Sequence, residues 1–189
     1  MPLSGQTTYR VPLVLRDLVL VDMLELTGST VATASLLQMS QPSVSRRYRA
    51  LAEDLGLERQ KDRPVGRRYG DTDWLVLLRR GVNRHRLACG VLRVGWPSRV
   101  GEPPTGCQWA EWVQLENQRL NHWPQLLKAE LLDAVILDDT AALEKSIPTS
   151  ELVIVELRRS APQRLVLACR RDPLIMEIAA RLGACFERA

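Results

Sequence analysis

The spacing of hydrophobic positions changes partway along this chain, and the change divides it. From Leu13 to about Arg86, apolar residues fall three and four apart, the spacing of one helix face. Leu15, Leu18, Val19, Met23 and Leu26 predict an amphipathic helix over Leu13–Leu26, with Asp22 in the same register. A second helix near Thr30–Leu37 is rich in small residues (Val31, Ala32, Ala34), which permits close packing. Val44, Tyr48, Leu51 and Leu55 form the stripe of a third helix, closed by Gly56, since glycine takes the left-handed C-cap conformation cheaply. A fourth helix runs from Asp71 to about Arg86. Asp71-Thr72-Asp73 supplies caps and negative charge at its start, and Leu75, Leu78 and Val82 line it, widened by Trp74 and Leu77.

Beyond Gly90 the period shortens to two. Gly90–Pro97, Trp112–Glu116, Asp133–Leu137, Leu152–Leu157 and Arg164–Cys169 read as strands. Helices fit at Trp123–Leu131 and Pro173–Phe186, the second with Leu174, Ile178, Leu182 and Cys185 on one face. Strands alternating with helices imply an α/β sheet. The expected organisation is a DNA-binding domain over 1–70, a linker helix over 71–89 and an α/β domain over 90–189.

The third helix carries the most information. Ser40 suits an N-cap, and Pro42 sits where a missing N–H costs nothing. Away from the apolar stripe lie Gln41, Ser43, Ser45, Arg46, Arg49 and Glu53. Gln41, Ser43 and Arg46 stand near the helix N-terminus, the end that recognition helices point at base edges. The segment Glu58–Tyr69 adds Arg59, Lys61, Arg63, Arg67 and Arg68 around two turn formers, Pro64 and Gly66, and suits a β-wing. An arginine-rich helix face is ordinarily a solvated surface. Here cap, apolar phase, turn and basic flank agree, and together they favour DNA binding.

Gly28-Ser29, the spacing of Ala34 and Leu37, Ser40-Gln41-Pro42, Val44-Ser45-Arg46, Arg49-Ala50-Leu51, Glu53 and Leu55-Gly56 resemble the winged helix-turn-helix of LysR-type transcriptional regulators. The resemblance covers roughly Leu13 to Arg68. It implies that Gln41, Pro42, Ser43, Ser45 and Arg46 sit at double-stranded DNA, with wing arginines Arg67 and Arg68 on phosphate. It also implies a homodimer or higher homo-oligomer through the linker helix, with Trp74, Leu75, Leu78 and Val82 at the interface; the alternative is that this stripe packs on its own domain. RNA polymerase or another regulator is a further candidate partner. Departures stand at Thr30, where an aromatic is common, at Arg59-Gln60 in place of a Leu-Phe pair, and at Asp71-Thr72-Asp73-Trp74 in place of Thr-Pro-Ala-Gly. The second half, from GVLRVGWP to RLVLACRRDPL, resembles the first LysR regulatory subdomain. A second subdomain does not follow, so the expectation is a truncated regulatory domain without the usual two-subdomain effector cleft.

Composition agrees with this division. Residues 1–99 hold 16 Lys/Arg against 9 Asp/Glu, and residues 100–189 hold 10 against 13, so the positive surplus lies with the helix-turn-helix half. A hydrophobic content of 46% supports a packed core. No apolar run approaches the roughly 20 residues that span a bilayer, and Met1–Arg10 lacks a signal-peptide core; a cytoplasmic, nucleoid-associated protein is expected. Cys89, Cys107, Cys169 and Cys185 show no CxxC spacing and suit reduced thiols, with a redox switch the alternative. His85 and Cys89 are helically spaced, but two ligands do not make a metal site, and His122 has no ligand-spaced partner. Asp138-Asp139 follows a strand end, Trp109, Trp112 and Trp123 suit the core of the sheet domain, and no nucleotide or hydrolase motif is present. No cofactor and no enzymatic activity are expected. The rival reading is a protein-interaction adaptor with a residual helix-turn-helix.

Overall fold

The computed structural model of the chain describes residues 10–104, 107–116, 120–138, 152–160 and 163–188. They divide into a helical unit, Val11–His85 with Lys128–Leu131, and a sheet unit containing Arg86–Leu127 and Leu132–Ala189.

In the helical unit, α1 (Arg16–Thr27) ends where Gly28 turns left-handed and its N–H bonds the Leu24 carbonyl. Helix α2 (Thr30–Leu36) starts from Ser29, whose hydroxyl accepts the Ala32 N–H. The chain reverses through Gln38, at φ +54°, into α3 (Gln41–Leu55). Ser40 caps α3 by accepting the Ser43 N–H, and Gly56 closes it at φ +60°. Helix α4 (Asp73–Ala88) follows.

Two expectations change here. Helix α1 is not amphipathic: every residue from Leu18 to Leu26 is buried, including Asp22 and Glu25, with α2 and α3 packed on it. The stretch 57–70 contains no strand, so the fold has no β-wing. It is a string of turns with a Gln60 N–H to Arg68 carbonyl bond of 2.8 Å across it. Glu58–Tyr69 lacks the alternating apolar pattern that would fix a hairpin register, and Pro64 has no N–H for a ladder.

The sheet unit builds β1 (Leu92–Pro97), β2 (Ala110–Leu115), α5 (Trp123–Lys128), β3 (Ala134–Asp138), β4 (Leu152–Ser160), β5 (Gln163–Arg170) and α6 (Pro173–Arg188). The strand order is β2-β1-β3-β5-β4, with β1 parallel to β2 and β3, and β5 antiparallel to β3 and β4. Gly95 is required inside β1, because a Cβ there would stand 2.6 Å from a Leu115 methyl. Trp123 is buried, and Trp109 and Trp112 pack partly buried on the core; Trp96 meets Trp112 edge-on at 5.4 Å and stacks on Phe186 at 6.2 Å. The buried stripe of α6 is Ile175, Ile178, Ala179, Leu182 and Phe186. Leu174 and Cys185, expected on that face, lie at its margins, because the core-facing stripe is centred one residue further round the helix.

One buried carboxylate joins this unit. Asp133, just before β3, takes the Arg93 N–H at 2.8 Å and the Arg170 guanidinium at 2.7 Å, and it contacts Arg86. Its backbone also bonds Arg93 and Arg170, so one residue ties β1 and β5 to the start of β3. Burial opposes its ionisation, but Arg86, Arg170 and the Arg93 N–H outweigh that and hold the carboxyl below the usual carboxylate range. A depressed folded pKa adds stability that is complete above the unfolded value, about 3.9 for Asp, and is lost as pH falls through the folded value. Asp133→Asn is therefore expected to cost about 3–5 kcal/mol at neutral pH, by removing the one fully buried counter-charge and leaving Arg86 only the more distant, half-buried Glu111 at 3.9 Å. Denaturant unfolding from pH 7 to pH 3 should also show a flatter acid limb than wild type.

Candidate nucleic-acid interface

The start of α3 is an exposed, ordered polar surface. Gln41, Pro42 and Arg46 are exposed, and Ser43 and Ser45 are half-buried. The Ser40 and Ser43 hydroxyls meet at 2.7 Å. The Gln41 carboxamide nitrogen donates to Ser45 Oγ at 3.0 Å and, across to α2, to Thr30 Oγ1 at 3.2 Å. Val44 on the opposite side is fully buried, which fixes the rotation of α3 and turns this set outward. Thr27 Oγ1, at 2.7 Å from the buried Thr33 hydroxyl, ties α1 to α2. Arg47 bonds Asp17 at 2.7 Å and so ties α3 to α1. Neighbouring arginines thus divide in role: Arg47 is structural, whereas Arg46 and Arg49 are exposed and have no ion-pair partner among the described residues.

The basic segment after α3 is held from below by α1. Glu25 accepts the Gly66 N–H at 2.9 Å and the Tyr69 N–H at 2.8 Å. Burial pushes its carboxyl above the ordinary glutamate range, partly offset by those two bonds. Arg79 of α4, itself buried, bonds Asp22 at 2.6 Å and the Gly66 carbonyl at 3.0 Å. Gly66 has φ +93°, and a Cβ there would meet the Ala129 Cβ at 2.8 Å. Tyr69 packs edge-on against Tyr48 at 5.3 Å, with Arg59 over its ring.

Arg67 and Arg68 differ from expectation. Arg67 pairs with Asp71 at 2.5 Å and with Asp73 at 3.3 Å, and Arg63 shares Asp71 at 3.2 Å. Arg68 donates to the Arg63 carbonyl at 3.1 Å. These side chains brace the loop. On α4, Leu75 and Val82 are 3% and 2% exposed inside their own domain, because they lie on the face shared with Arg79; they are unavailable to a partner. Trp74, Leu77 and Leu78, at 37%, 64% and 41%, are exposed. Sequence reasoning missed Glu25, Arg79 and the Thr30 contact; its one signal was Asp22 in register with an apolar stripe.

Asp138 pairs with Arg99 at 2.7 Å, and Asp139 lies outside the described residues. No group of three metal-binding side chains occurs among the described residues, and none of their helices is long and apolar enough to cross a membrane. Burial pushes the Cys107 thiol up to about 12 and the Cys169 thiol up to about 11, so both stay protonated.

No protein-family model and no curated protein matches the chain. Among solved structures it is similar to full-length OxyR C199D from Pseudomonas aeruginosa, at 17% identity and TM-score 0.35, over 76% of this chain and 54% of that one. It is also similar to HinK, a LysR family transcriptional regulator from the same organism, at 22% identity and TM-score 0.30, over 76% and 52%. A third is full-length CbnR complexed with target DNA, at 20% identity and TM-score 0.26, over 76% and 54%. The chain spans about half the length of each. Likenesses this distant carry no weight on function, which rests on the residues above.

Glu25→Gln replaces one acceptor by a donor facing a buried backbone N–H. An unfolding cost of about 1–3 kcal/mol is expected, together with faster hydrogen exchange at the Gly66 and Tyr69 amides. Unchanged exchange there would remove Glu25 as the anchor of the loop.

Proposed function

We propose that this chain is a sequence-specific DNA-binding transcriptional regulator of the LysR type, with α2 and α3 as its helix-turn-helix and α3 as the helix that enters the major groove. The observation that carries this reading is the outward face of α3: Gln41, Pro42, Ser43 and Ser45 around a capped N-terminus, with Arg46 and Arg49 exposed alongside. A helix N-terminus favours phosphate, and the charge surplus of residues 1–99 supports the same surface. In this reading Gln41, Pro42, Ser43 and Ser45 contact base edges and the sugar-phosphate, and Arg46 is the main guanine or phosphate contact. Arg67 and Arg68 reach the flanking backbone only by exchanging their present partners.

A homodimer fits, since two recognition helices read two half-sites. The exposed α4 residues Trp74, Leu77 and Leu78 are the surface proposed for it. Those same residues favour the adaptor reading, in which they receive another protein. A mobility-shift assay on the promoter region beside the protein's own gene separates the two.

Arg46→Ala is expected to weaken specific binding by about 1–3 kcal/mol if Arg46 reads a base. Log affinity should fall with log salt at about 0.9 per phosphate neutralised. A salt-independent affinity, or no shift at all, would sink the DNA reading and leave the adaptor.

A further inference from the structure

We infer that Thr30 and Ser45 set the base preference of Gln41 by holding its carboxamide nitrogen inward, so that Oε1 is the group offered to the groove and selects a base-edge donor. The inference rests on the DNA-reading role of α3 and specifies what one position of that helix can read.

A glutamine carboxamide has two N–H donors and one carbonyl acceptor. Free to turn, it pairs with adenine through both groups, donating to N7 and accepting from N6. Here both donors are directed at protein oxygens, Thr30 Oγ1 on α2 and Ser45 Oγ one turn along α3. Two anchors on different helices hold the amide more firmly than one, and α2 is itself fixed to α1 through Thr33 and Thr27. What remains for a ligand is the carbonyl oxygen. In the major groove an acceptor is matched by adenine N6 or cytosine N4, whereas guanine O6 and thymine O4 would set oxygen against oxygen. Gln41 held in this way accepts adenine or cytosine and discriminates against guanine and thymine. Thr30 acts as a positioning residue that touches no base.

The test is selection of bound duplexes from a randomised pool by the full-length chain, compared with Gln41→Ala, Thr30→Val and Thr30→Ser. The base position whose preference disappears in Gln41→Ala identifies what Gln41 reads. In wild type that position should favour A·T and C·G in one orientation, adenine or cytosine on one strand and thymine or guanine on its complement, over the same pairs reversed by roughly fivefold, the scale of one net hydrogen bond. Thr30→Val keeps the shape and removes an anchor, freeing one N–H for adenine N7; adenine should then exceed cytosine severalfold at that position and nowhere else. Thr30→Ser restores the hydroxyl and should restore the wild-type pattern. A Gln41-dependent position that selects one base pair alone, or that sorts purine from pyrimidine or A·T from G·C pairs, no position dependent on Gln41, or Thr30→Val selecting as wild type does would each overturn the inference. A pool that enriches nothing with wild type fails differently, because it removes the DNA-reading role itself.

Discussion

A helix buried on every side has no water in which to place its carboxylates, and that constraint organises the first half of this chain. Asp22 and Glu25 lie three residues apart on α1 and are both buried. A buried charge must be paired or hydrogen-bonded, so each carboxylate requires a protein partner. Asp22 takes Arg79, which brings α4 to α1. Glu25 takes the backbone of Gly66 and Tyr69, which brings the basic segment there too. Arg79 also bonds the Gly66 carbonyl, so the two attachments share a node. Without hairpin strands, the 57–70 segment depends on this carboxylate for its position.

The sheet unit meets the same problem with the same device. Asp133 sits among Arg86, Arg93 and Arg170, contributed by segments before β1, within β1 and at the end of β5. An ion cluster of this kind is weak evidence for net stability, because desolvation offsets most of the attraction. Its stronger consequence is registry: one acid with two oxygens and several fixed donors tolerates few alternative strand pairings.

Sequence periodicity carried the element order well, since five strands and their helices stand within a few residues of where alternation placed them. The caps were equally legible, because Ser40 and Gly56 act through local bonds that need no tertiary context. What failed was orientation around a helix. The stripe on α6 admitted two phases, and only packing selects Ile175 and Phe186 over Leu174 and Cys185. On α4, Leu75 and Leu78 read as one stripe, yet Arg79 rather than a leucine completes the buried face. A buried arginine is invisible to hydrophobic patterning. The β-wing failed for a related reason: basic residues with turn formers describe a loop, and only a carboxylate elsewhere in the chain says how that loop is held.

The same pairings reduce the charge available to a ligand. Arg47, Arg63, Arg67, Arg79 and Arg80 are all in ion pairs, so the cations not held by an acid are fewer than a count of arginines suggests, although the net surplus is unchanged. At the α3 surface the exposed cations are Arg46 and Arg49, with Arg59 and Lys61 exposed in the following loop. In the proposed DNA-binding reading, few phosphate contacts per chain mean a shallow salt dependence and weak non-specific attraction. Discrimination in that reading falls to the polar face around Gln41, and a second copy would raise affinity by doubling that face. The exposed Trp74, Leu77 and Leu78 on α4 are the surface proposed for that copy, so in the same reading they bear on DNA binding together with α3.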